Sequence, residues 1–124
     1  GRQYMTTQPR FVPGKNIAVK VPPDQYDATV TFYTEVLGLS KLPDGGELSV
    51  VLDFDGKRLW IDRVPSLSQA EVWLEVFTKD EEAAAKYLED CGVVRCDEIE
   101  PLPAEVQGFW IKSPSGIVHL VSQS

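Results

Sequence analysis

Two stretches of this chain share one pattern of apolar and polar positions. Residues 17–38 read IAVKVPPDQYDATVTFYTEVLG and residues 72–92 read VWLEVFTKDEEAAAKYLEDCG. Each begins with apolar residues at alternate positions, passes through a polar turn, and continues as an amphipathic helix closed by Gly. The strand starts are offset by 72 − 17 = 55 residues and the closing glycines by 92 − 38 = 54. A repeat of that period predicts one supersecondary unit used twice, neither of which can bury its apolar face alone.

Strict alternation over Lys15–Val21 predicts a half-buried strand, with Ile17, Val19 and Val21 on one side and Asn16, Ala18 and Lys20 on the other. Pro22 and Pro23 end it, and Asp24 is the expected N-cap of the following helix. Tyr26, Val30, Tyr33 and Leu37 form its core-facing stripe, and Gly38 its C-cap. A short strand is expected at Leu39–Leu42, a turn at Asp44-Gly45-Gly46, and a strand at Glu47–Phe54. A tight hairpin at Asp55-Gly56 then leads into a returning strand, Lys57–Val64. After the linker Pro65–Gln69 the order recurs. A strand at Ala70–Phe77 precedes a capping box, Thr78 to Glu81, and a helix with Ala84, Tyr87, Leu88 and Cys91 on one face. Gly92 stops that helix. Strands follow at Val93–Cys96, Val106–Ser113 and Gly116–Val121, with an acidic loop at 97–105 and a turn at Ser113-Pro114-Ser115-Gly116. The class is α+β, built from two βαβββ modules at about 14–64 and 70–122.

At 124 residues the chain fits one domain, 12–124, preceded by a flexible arm, 1–11, whose Gly1 reads as a processing remnant. The formal charge of −7, with Lys and Arg scattered along the chain, argues against nucleic acid as a partner. No apolar run approaches a membrane span, and no secretory signal is visible. Cys91 and Cys96 fit neither a CxxC motif nor a zinc ligand spacing, so two reduced thiols and a cytoplasmic location are expected.

Phe32-Tyr33-x-x-x-Leu37-Gly38-Leu39 resembles the helix-to-strand signature of the vicinal oxygen chelate superfamily of glyoxalase I, bleomycin-resistance proteins and extradiol dioxygenases. Ser113-Pro114-Ser115-Gly116-Ile117-Val118-His119-Leu120 is similar to its final hairpin, and the likeness runs from about residue 14 to 122. The resemblance implies two modules that curve into one open mixed sheet around a cavity, and a homodimer. It identifies a fold that hosts lyases, isomerases, dioxygenases and non-catalytic binders alike.

Metal-binding members line the cavity with His or Gln, Glu, His and Glu. Position by position, Asn16 stands here for the first His, Glu71 for the second His and His119 for the final Glu, with a turn before His119 that is one residue short. Trp60 or Asp62 takes the remaining place, both on one strand face. The resemblance implies that Asn16, Glu71 and His119 meet on one concave face. Asp62, Glu71 and His119 would be the metal ligands if Zn, Mn or Fe were bound. Strand parity adds Ala18, Lys20, Arg58, Trp60, Trp73 and Glu75 to the cavity face, with Phe109 or Trp110. Lys20 and Arg58 could hold a carboxylate or phenolate, or pair with Glu75 and Asp62 as salt bridges.

The broken ligand set favours a protein that binds a small amphipathic molecule between Trp60 and Trp73, with no cofactor. The alternative is a divalent-metal-dependent lyase, isomerase or dioxygenase acting on vicinal oxygens.

Overall fold

The computed structural model describes residues 9–124, so most of the expected arm, residues 1–8, lies outside the described residues. The elements run β1 Val12–Pro13, β2 Asn16–Val21, α1 Pro23–Thr31, β3 Lys41–Gly46, β4 Ser49–Phe54, β5 Lys57–Arg63 and β6 Glu71–Thr78. Then come α2 Glu81–Asp90, β7 Val94–Arg95, β8 Gly108–Lys112 and β9 Val118–Gln123. The described residues divide into two compact units, Lys15–Leu74 and a second made of Glu75–Ser124 with residues 9–14. Strand β6 passes from one to the other.

In the first unit the strand order is β3-β4-β5-β2-β6, with β2 and β5 parallel and the other neighbours antiparallel. In the second, β6 is followed by β9, β8 and β7. The orders β2-β5-β4-β3 and β6-β9-β8-β7 match, so the repeated pattern is a repeated βαβββ topology in an α+β protein with mixed strand pairing.

Alternation decides which residues fill the core of the first unit. Ile17, Val19 and Val21 of β2 face the same way as Leu59 and Ile61 of β5 and Val50 and Leu52 of β4. Tyr26, Val30 and Tyr33 pack against this apolar face. In the second unit, Val76, Phe109, Ile111 and Val121 pack with Ala84, Ala85 and Leu88 of α2. Phe11, placed in the arm by the sequence, joins that cluster and lies against Tyr87, ring centroids 6.1 Å apart. Val12 and Pro13 pair with Phe77 and Val76.

Several boundaries differ from the sequence expectation. Pro22, not Asp24, is the N-cap of α1, and no side chain caps it. Pro23 opens the helix, where a missing N–H costs nothing. The first helix ends in a π-turn, Phe32–Val36, in which the Leu37 N–H reaches the Phe32 carbonyl at 2.9 Å. The wider turn delays the helical phase by one residue. Leu37 therefore leaves the expected stripe and is 52% exposed, while Leu39 packs against the core in its place. At α2 the cap is Asp80, whose carboxylate accepts the Ala83 N–H at 3.1 Å. Thr78, the expected cap, ends β6 instead. Gly92, at φ +78°, closes α2 with Val93 N–H to Leu88 carbonyl and Gly92 N–H to Glu89 carbonyl, both 2.9 Å, a Schellman arrangement. The expected turn Asp44-Gly45-Gly46 lies within β3, and the chain reverses one step later.

Candidate functional site

The face of the first unit turned away from α1 is built in cross-strand rows. One row runs Ser49 (β4), Asp62 (β5), Lys20 (β2), Glu71 (β6), each residue opposite the next. The adjacent row runs Val51, Trp60, Ala18, Trp73, and a third contains Asp53, Arg58 and Asn16. Neighbouring strands lie about 4.8 Å apart, so members of a row sit within side-chain reach. Period-two alternation brings these residues together without any contribution from a loop.

The first row is an ion-paired chain. Lys20 Nζ lies 2.8 Å from Asp62 Oδ2, and the Ser49 hydroxyl donates to Asp62 Oδ1 at 2.6 Å. Lys20 is only 5% exposed, and its ammonium also lies 4.2 Å from the centroid of the Trp73 ring, a cation–π contact. Trp73 is 7% exposed and donates its indole N–H to Glu71 Oε1 at 2.9 Å. In the third row Asn16 Oδ1 accepts the Trp60 indole N–H at 2.8 Å, and Arg58 pairs with Asp44.

The two indoles thus lean in opposite directions along the strands. Trp73 is held toward Glu71 and Lys20, Trp60 toward Asn16. Between their Cα positions stands Ala18, which is half-buried. Ala18 and the two tryptophans thus share one row, with Lys20 and Glu71 in the row on one side and Asn16 and Arg58 in the row on the other. Behind the sheet, burial first, with Asp62 and Asp27 adding and Arg63 opposing, raises the Tyr26 hydroxyl above its ordinary pKa of 10.0.

Asn16, Lys20, Arg58, Trp60, Asp62, Glu71 and Trp73 are thus brought to one face. Sequence reasoning missed Ser49, although its parity with Val51 and Asp53 in β4 was the available signal. Lys20 takes Asp62 as its partner, one of the two carboxylates expected, and Arg58 takes Asp44, which was assigned to a turn.

The second unit departs further. Residues opposite each other in β8 and β9 share a face, and Phe109 pairs with Val121 while Ile111 pairs with His119. Phe109, Val121 and Ile111 pack with α2, so His119 lies on the helix side of its strands. Trp110 and Leu120 take the other face. The sequence assigned His119 to the face away from the helix, and the short turn before it explains the correction, because a one-residue slip moves every side chain to the other face. The His119 ring is tied back to its own turn, Nδ1 2.9 Å from the Ile117 carbonyl oxygen. Between Phe109 and Trp110, left open by the sequence, Trp110 is the one facing away from α2, with its indole N–H on the Glu100 carbonyl at 2.9 Å. Glu75, of opposite parity to Val76 in β6, points away from α2 and passes close over Gly14.

Among the described residues no three His, Cys, Asp or Glu side chains gather to hold a metal ion. In the first unit the donors present suit one poorly. Both Asp62 oxygens are engaged, a lysine ammonium occupies the space beside them, and no imidazole stands in the row.

No family model and no curated protein matches the chain. Solved structures do. The chain is similar to the Mn(II)-bound glyoxalase from Novosphingobium aromaticivorans, at 18% identity and a TM-score of 0.68 over 93% of this chain and 40% of that one. A glyoxalase/bleomycin resistance protein/dioxygenase superfamily member from Vibrio splendidus matches at 16% identity and a TM-score of 0.60, over 87% of this chain and 97% of that one. The fold is that of the glyoxalase/bleomycin resistance/dioxygenase superfamily. Homoprotocatechuate 2,3-dioxygenase from Arthrobacter globiformis shares the same glyoxalase-type fold at 20% identity and a TM-score of 0.64, over 94% of this chain and 37% of that one. The chain thus spans less than half the length of the glyoxalase and of the dioxygenase. No helix among the described residues is long and apolar enough to cross a membrane.

Proposed function

We propose that this glyoxalase-fold chain binds a small, flat, amphipathic molecule over Ala18, between Trp60 and Trp73, without a metal ion. The observation that carries the reading is the row Trp60–Ala18–Trp73, in which each indole N–H is anchored to a residue of a different flanking row. Anchored rings are pre-ordered walls, so a guest loses little to ordering its host. The guest's ring would stack on Trp60 and meet the accessible edge of Trp73, whose face already carries Lys20. Its polar ends would meet Glu71 and Lys20 on one side and Asn16 and Arg58 on the other. Glu75, His119 and Trp110 have no part in this reading. A homodimer belongs to the same proposal, since two-fold dimers are the commonest assemblies. Light scattering that shows a monomer at high micromolar concentration would overturn that part.

The test is titration with two planar amphipathic probes of opposite charge, 8-anilinonaphthalene-1-sulfonate and acriflavine, read by tryptophan quenching. At least one should saturate at one per chain, and Ala18→Leu, which puts a larger side chain between the indoles, should weaken it about tenfold or more at unchanged melting temperature. Two probes that fail to saturate, or an Ala18→Leu variant that binds as before, would remove the proposal. Metal analysis of protein purified without chelator checks the rest, since one Zn, Mn or Fe per chain would favour the metal-dependent enzyme instead.

A further inference from the structure

We infer that Lys20 is a built-in cation that takes the place of a divalent metal, and that it is the residue which makes this face refuse one. The inference rests on the metal-free reading above and deepens it. Lys20 is central in its row, flanked in register by Asp62 on β5 and Glu71 on β6, the two carboxylates of the expected ligand set in this unit. Its ammonium is not a solvated surface charge. It is buried, 2.8 Å from Asp62 Oδ2 and 4.2 Å from the Trp73 ring centroid, so a second cation at Asp62 would meet an unscreened like charge within a few ångströms.

The local design is consistent with a permanent occupant. Ser49 donates to the Asp62 oxygen that Lys20 leaves, and the Trp73 indole N–H takes Glu71 Oε1, so both carboxylates are satisfied by groups of the chain itself. An ammonium on a four-carbon stem cannot dissociate as a metal can. The positive charge is therefore fixed in the fold and independent of metal supply, and it offers N–H donors rather than a Lewis acid.

The experiment is Mn²⁺ binding to the 124-residue chain, followed by calorimetry and by electron paramagnetic resonance, with melting temperature as the second readout. Wild type should bind no stoichiometric Mn²⁺ and show no shift in melting. Lys20→Met removes the ammonium that lies over Trp73 but keeps an unbranched side chain of similar length. It should take one Mn²⁺ per chain, at least roughly tenfold tighter than wild type, and melt higher with Mn²⁺ present. Lys20→Met/Asp62→Asn should lose that site. If Lys20→Met folds poorly by itself, Lys20→Gln, which can still hydrogen-bond Asp62, is titrated alongside. Mn²⁺ that neither restores folding nor binds either variant counts against the inference. One Mn²⁺ per chain in wild type would overturn both this inference and the metal-free reading. Lys20 variants that bind none while wild type also binds none would overturn this inference alone.

Discussion

Asp62 is the residue on which the polar row depends. It accepts from Lys20 and Ser49 together, and its removal strands an ammonium that is 5% exposed. Breaking a buried pair costs more than the pair is worth, because the remaining charge is uncompensated. Asp62→Asn should lower unfolding free energy by about 3 kcal/mol, whereas Lys20→Met/Asp62→Leu should be nearly neutral, both measured by urea denaturation. A loss in Asp62→Asn below about 0.5 kcal/mol, the range of ordinary surface changes, would show that the pair is solvated. Cys96 gives a prediction in pH. Burial first, with Glu98 and Asp97 adding and Lys112 opposing, raises its thiol above the ordinary 9.0. The folded state therefore keeps its proton where the unfolded chain has lost it. The stability this contributes is whole below pH 9.0 and falls as pH climbs toward the folded value. Cys96→Ala should flatten the fall in melting temperature above pH 9, and an unchanged slope would count against it. Most of the first-unit face was legible at this scale because parity needs only strand identity. His119 was not, because its face depends on the length of one turn.

At the scale of elements, the contrast between the two helix starts is testable. Asp80 caps α2 through its carboxylate, while Asp24 caps nothing, Pro22 having taken that position. Asp80→Ala should cost about 1 kcal/mol. Asp24→Ala should stay within about 0.5 kcal/mol. Equal losses in thermal or urea unfolding would show that the caps are assigned wrongly. Both starts were read from sequence as polar residues before an apolar stripe, which fixes where a helix begins only to a residue or two. The ends were clearer. Gly92 follows a Schellman closure, and Asp55-Gly56, at φ 56° and 85°, forms the hairpin that joins β4 to β5. The π-turn at Phe32–Val36 was not legible, since residues three to four apart look alike whether a helix holds its pitch or widens. Its consequence is the exposure of Leu37 and the use of Leu39 in the core.

At the scale of the whole molecule, two copies of one topology carry different surfaces. The repeat was visible because each copy keeps its alternation, its helix and its closing glycine. The division of labour was not, since the same strand pattern serves an aromatic face in one unit and a His119 on the helix side of its strands in the other. The three tryptophans turn that division into an experiment. Trp60 and Trp73 flank Ala18 in the first unit, whereas Trp110 belongs to the second, with its indole N–H on the Glu100 carbonyl. If the binding face is the one proposed, a bound planar probe quenches Trp60 and Trp73 by contact and leaves Trp110 emitting. Trp110→Phe should then lower total emission while leaving the probe's dissociation constant unchanged. Trp60→Leu and Trp73→Leu should each weaken binding, since losing one aromatic contact removes about 1 kcal/mol, or roughly fivefold in affinity. The Trp73 change should have the larger effect, because it also frees Lys20 from the ring over which it sits. Quenching that follows Trp110, or survives the loss of both Trp60 and Trp73, would place the ligand elsewhere in the molecule.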